Sequence, residues 1–332
     1  MTRAGAERVG TAAALDKLIP VVLAFGGGVL LARRKVVPAD TSKAFADYAF
    51  LFAVPCYLFG SIYASDLGAL FRWRAILGYA TAAAVAVLAV GLAARLLGRR
   101  GPRAAALRIM ASVQVNTAYF AVPVFITVFG TAAPVFPVLL FQVCVLSMVV
   151  ITVMELGRPP HPGAGPGTAV RGLRAVVRAV GASLATPLVL ACNAGLLLNL
   201  LTVPVPGAVL DGLAFVGDSA SPVALFALGL HLGGLGLNLR GTTWEEAGII
   251  AFKCLAFPLL TWAVCGVLFG VTGDWLAYLV LIAAMPTPQN LFVFAQRYDV
   301  DVDLSAALVI KSSVAALLLL PLWLHWASLV RG

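Results

Sequence analysis

Two interruptions constrain this chain more than anything else in it. Asn116-Thr117-Ala118-Tyr119-Phe120-Ala121-Val122-Pro123 and Pro286-Thr287-Pro288-Gln289-Asn290 each fall mid-way along a stretch otherwise apolar and long enough to cross a bilayer. Proline withholds a backbone donor and its ring collides with the preceding turn, so a helix breaks or kinks at such a segment. No water inside a bilayer satisfies the backbone groups set free. Unwound chain at that depth is tolerated only where protein buries it or where it lines a cavity. Paired interruptions, one in each half of a chain, are a pointer to a transporter binding site.

The rest of the chain supports a bilayer setting. It is 61% hydrophobic and 11% charged, whereas soluble domains carry about 25% charged residues. A spanning helix takes ~20 mostly apolar residues. On that ruler the spans are 15–32, 44–63, 74–97, 105–130, 133–156, 182–202, 207–232, 246–270, 275–297 and 303–328, about ten in all. The segment before the first span mixes both charge signs, and that span reads as retained rather than as a cleaved leader. The five cysteines fall within apolar runs without metal-ligand spacing and read as small buried side chains. The net charge of +9 reads as topological. Nucleic acid is not an expected partner, because no clustered basic face on a soluble fold is visible.

The halves read as repeats. Shifting the first by 167 positions lays Pro55-Cys56-Tyr57-Leu58-Phe59 on Pro222-Val223-Ala224-Leu225-Phe226 and the first break on 283–290, over the second. Each half then holds five spans, an odd number, so the repeats are inverted across the membrane. The expected division is 1–156, 157–181 and 182–332: a five-helix repeat, a linker and a second five-helix repeat. Arginine and lysine concentrate in the odd-numbered connections, such as Arg33, Arg34 and Lys35, then Arg99, Arg100 and Arg103, then Arg171, Arg174 and Arg178. These connections, the Pro/Gly-rich linker included, are expected on the cytoplasmic side of the cell inner (plasma) membrane, with both termini outside. Segment 170–181 is suited to lie along the inner surface.

The chemistry concentrates at the two breaks. The half-helix after each begins near mid-membrane, with free N–H groups and a positive dipole end. Two such ends meeting at a crossing form a site for an anion, typically a carboxylate. Asn116, Thr117, Gln289 and Asn290 add polar side chains, and Pro123, Pro286 and Pro288 hold the backbone open. Lys253 and Lys311 lie inside spans, about two turns from the cytoplasmic edge; snorkelling to that edge is the favoured reading, with Lys311 kept as a site residue. Asp218 is the acid nearest membrane depth and the candidate for proton coupling, with Asp47 weaker. Gly26-Gly27-Gly28 reads as a close-packing surface between helices. Soluble-enzyme motifs, ATPase loops and metal-ligand spacing are missing. The expectation is a non-enzymatic, secondary or passive transporter without cofactor or metal.

Asn116-Thr117 with Val122-Pro123, and Pro286 followed by Phe292-Val293-Phe294-Ala295 and Tyr298, resemble the fourth- and ninth-helix motifs of the auxin efflux carrier family. Gly195-Leu196-Leu197-Leu198-Asn199 and Pro222, Leu225, Phe226 and Gly229 are similar to its sixth and seventh helices. The resemblance spans essentially the whole chain and points to the compact prokaryotic branch, since the long central loop of the larger plant members is missing. It implies an all-α membrane protein of ten helices in an inverted five-plus-five repeat. It also implies crossed broken helices 4 and 9, a scaffold domain, a mobile transport domain and often a homodimer. The implied function is alternating-access, elevator-like transport of small carboxylates bound at the crossover. The alternative is a sodium- or proton-coupled carrier of the bile-acid-symporter or cation-antiporter type.

Overall fold

In hydrocarbon every backbone N–H and C=O must find a partner within the protein, and a helix provides that within a single segment. The computed structural model describes residues 19–96, 101–156, 185–234 and 241–331, with Val177 and Gly181, and among these residues it contains helices and no strand. The N-terminal segment to residue 18, linker residues 157–168 and all of 170–181 but Val177 and Gly181 lie outside the described residues, so the readings made on them are not addressed.

The helices are α1 (Ile19–Arg33), α2 (Ala39–Tyr63), α3 (Trp73–Leu96), α4 (Pro102–Val113), α5 (Val122–Phe129) and α6 (Val135–Met154). After them come α7 (Pro187–Leu200), α8 (Gly207–Gly234), α9 (Trp244–Leu268), α10 (Gly273–Ala284), α11 (Asn290–Tyr298) and α12 (Val302–Arg331). Among the described residues, seven stretches are long and apolar enough to cross a membrane, α4 and α5 counting as one; α1, α7 and α10 are apolar but shorter. The protein is a multi-pass membrane protein.

Small residues set the closest helix crossings. A Cβ on Gly229 of α8 would lie 2.1 Å from the Phe25 carbonyl of α1, and one on Gly28 would lie 2.4 Å from the Phe226 carbonyl. Of the three consecutive glycines in α1, only Gly28 makes this approach; Gly26 and Gly27 face open space. Similarly, a Cβ on Gly195 of α7 would lie 2.7 Å from the Phe59 carbonyl of α2. Asn199 of α7 then donates its amide to the carbonyls of Ile62, Tyr63 and Ser65 at 3.2, 2.6 and 2.8 Å, closing the C-terminal end of α2.

Packing sorts the helices into two sets. α1 lies along the second half of α8, and α7 lies along α2. In the other set α4 packs on α3 and α6, while α10 packs on α9 and α12. The second half of α8 meets α5 between the sets. The stretch from Pro102 to Phe129 is the most enclosed: 83% of its most apolar part is buried, against 50% or less in the other six long stretches. The first break therefore lies at the heart of the molecule.

Candidate functional site

Helix α4 stops at Val113 because Gln114 turns extended (φ −72°, ψ 152°), and α10 stops at Ala284 because Met285 does the same (φ −67°, ψ 153°). These matched exits place Gln114 opposite Met285, one helical turn beyond Leu281, where the common repeat offset puts it. The two unwound segments touch. The Asn116 N–H donates to the Pro286 carbonyl at 2.9 Å, so backbone pairs with backbone across the breaks. The Thr287 hydroxyl donates to the Ala111 carbonyl at 2.8 Å, capping the end of α4, and its N–H donates to the Ser312 hydroxyl at 3.1 Å. Asn116, Thr117, Pro123, Pro286, Thr287 and Pro288 are buried.

Two amides at this crossing have one end fixed and one end unmet. The Asn116 Oδ1 accepts from the Tyr119 N–H at 3.0 Å, as an N-cap. The Gln142 Oε1 accepts from the Val115 N–H at 2.6 Å. A backbone N–H cannot accept, so each amide must present its oxygen to the chain and its NH₂ away from it. Those two NH₂ groups, Asn116 Nδ2 and Gln142 Nε2, are buried and have no acceptor among the described residues. Buried donors without acceptors are rare in folded proteins. A ligand with acceptor oxygens would satisfy them.

Other expected site residues are spread differently. Gln289 is half-buried and Asn290, the first residue of α11, is exposed, so the second break does not enclose its amides as the first does. Lys311 does not snorkel: its Nζ lies 2.5 Å from Glu246 Oε2, and the two side chains are only 11% and 10% exposed. The charge expected to reach water or an anion is neutralised across α9 and α12. Lys253 is wholly buried and does not snorkel either. Asp218 is exposed at the joint between the two halves of α8, and Asp47 is 2.6 Å from Lys43 on the surface.

Sequence reasoning passed over Gln142, Ser312 and Arg108, and named Thr287 only as part of the second break. Arg108 was open to detection as a charge inside a span. Its Nε lies 2.6 Å from Glu245 Oε1 and its Nη1 2.7 Å from Asp301 Oδ2, with 6% of the side chain exposed. With Ser112, Trp244 and Phe252 it lines a cavity of about 580 Å³ between α3, α4 and α9. Gln142 offered a weaker signal, a lone amide in the apolar run of α6. Its role depends on Val115, which meets it only in the folded chain.

The model of a family described as membrane transport protein matches residues 13–164 and 173–324, nearly the whole chain. No curated protein matches it. Broken helices crossing at a buried point, the motifs that carry them and this match over both halves lead to one conclusion: the chain belongs to the membrane transport protein family of the auxin efflux carriers, whose members are membrane transporters.

Proposed function

We propose that this protein carries small organic carboxylates across the inner (plasma) membrane by alternating access, with the anion bound where the two broken stretches cross. The observation that carries the reading is the pair of buried, acceptor-less NH₂ groups of Asn116 and Gln142, beside the hydrogen bond from Asn116 to Pro286. A carboxylate is an acceptor-only group with two oxygens, matched to two such donors. The dipole ends after the breaks favour negative charge at the same place.

The mechanism proposed is elevator-like, in an inverted five-plus-five arrangement. In it α1, α2, α7 and α8 form the scaffold, through which two copies pair as a homodimer, and the remaining helices move as the transport domain. The sorting of the helices into two packing sets supports that division. Coupling by Asp218 does not follow from its exposed place in α8.

The test is uptake of a radiolabelled panel of acetate, malonate, succinate and phenylacetate into proteoliposomes, with sodium and proton gradients imposed separately. Saturable uptake of at least one acid, competed by its unlabelled form, is the expected result. Gradient dependence then separates coupled carriage from uniport. Uptake no faster than in empty liposomes for every acid would remove the proposal.

A further inference from the structure

Lys253 lies in α9 at a widened turn, Phe252–Ala256, of the kind that often marks functional positions in helices. It is fully buried, at 0% exposure. Its ammonium donates to the Ala283 carbonyl at 3.2 Å and stands 4.9 Å from the centre of the Phe257 ring. Among the described residues no carboxylate lies within ion-pairing distance of it. Ala283 is in the last turn of α10, where carbonyls lose their intrahelical donors because the chain leaves the helix at Met285. The ammonium therefore sits against the negative end of a half-helix.

The other arm of the crossing is built without charge. There the Ala111 carbonyl receives the neutral Thr287 hydroxyl. The counterpart of Lys253 in α3 is Ala86 at the common repeat offset, or Ala82 one turn earlier, where the matched breaks place it; both are buried alanines. One basic side chain thus stands on one side of an otherwise neutral crossing. Ala283 is three residues before Pro286, whose carbonyl holds Asn116. Cys254, next to Lys253, contacts Ser312, which accepts from Thr287. The lysine is stitched to the break through both neighbours. An ammonium withdrawn from water is costly to keep without a counter-charge. A helix end, about half a charge, compensates it only in part. An anion at the crossing would supply the rest.

Accepting the crossing as the substrate site, we infer that Lys253 is its fixed positive charge. It is a positioning residue that holds the carbonyl end of α10 and sets the preference for ligands of higher negative charge. The experiment measures uptake KM in proteoliposomes for malonate and succinate, and for their half-amides malonamate and succinamate, which have nearly the same shape and one charge fewer. Wild type, Lys253→Met and Lys253→Arg are compared after each has been checked for folding by its melting temperature.

Lys253→Met is expected to raise KM for the dianions about tenfold to a hundredfold and for the monoanions distinctly less. Lys253→Arg is expected to keep the dianion-to-monoanion ratio within about twofold of wild type. A structural role alone would shift both charge classes together, and that outcome overturns the inference. Should Lys253→Met not fold, Lys253→Arg decides: a kept ratio supports the inference and a collapsed ratio in a folded protein overturns it. A wild type that takes up none of these acids or the wider panel overturns the transport reading, and this inference with it. A wild type that takes them up while Lys253→Met matches it overturns the role of Lys253 alone.

Discussion

Asn116 does two jobs with one side chain, and they can be separated. Its oxygen caps the Tyr119 N–H, while its NH₂ has no acceptor among the described residues. Asn116→Asp keeps the capping oxygen and replaces the donor with a second acceptor. The cap itself is expected to change stability by no more than about 1 kcal/mol, with burial of the carboxylate adding its own cost, and carboxylate uptake is expected to be lost. Asn116→Ala loses both the cap and the donor. Retained uptake in a folded Asn116→Asp protein would reject the donor role. Lys311 belongs to a different account, since its charge is already matched by Glu246 at 2.5 Å. Removing one member of a buried pair strands the other, so Lys311→Met alone is expected to lower stability by about 3–5 kcal/mol. Combining it with Glu246→Gln, which keeps an oxygen for the Thr243 capping box, should recover most of that loss. Thermal melts of the two single variants and the double variant measure the coupling. Additive losses would mean the pair contributes nothing.

At the scale of elements, glycine positions decide how close helices come. Gly229→Ala forces a methyl group into the Phe25 carbonyl, at 2.1 Å, and backbone cannot step aside as a flexible side chain can. Overpacking of this kind is expected to destabilise by about 1–3 kcal/mol. Gly26→Ala meets nothing within 4 Å and adds a better helix former, so it should be neutral or slightly stabilising. The contrast is read from melting temperatures in one detergent. Equal effects of the two substitutions would show that the α1–α8 crossing is looser than its geometry. The breaks obey the same logic. Thr287 exists to close the end of α4, and Thr287→Val keeps the shape while stranding the Ala111 carbonyl. That loss is expected to destabilise by about 1–3 kcal/mol.

For the whole molecule, the distribution of basic residues predicts the linker at 157–172 inside and both termini outside. The five native cysteines are free thiols, so the test begins from a cysteine-free variant. Single cysteines placed in the linker should resist an impermeant maleimide added to intact cells, and cysteines near either terminus should react. Labelling of the linker from outside would overturn the orientation and weaken the inverted-repeat reading built with it.

Much of the architecture is legible in the chain alone, because the bilayer is a demanding solvent. Apolar runs of span length have to become helices there, and a proline within such a run has to open one. The same physics locates α4, α5, α10 and α11 and puts Asn116 and Pro286 at the breaks. What it could not reach were contacts between distant parts of the chain. Nothing local to Gln142 says that it will meet Val115, and nothing near Lys311 says that Glu246 will neutralise it, 65 residues away. Lys253 and Lys311 look alike in sequence, each a lysine some two turns into a span. Packing gives one a carboxylate and the other only a helix end and an aromatic ring. The spans and the breaks were set by hydrophobicity and proline, which act locally; which polar groups are satisfied and which remain open for a ligand was decided by tertiary structure, because a hydrogen bond needs its partner in place.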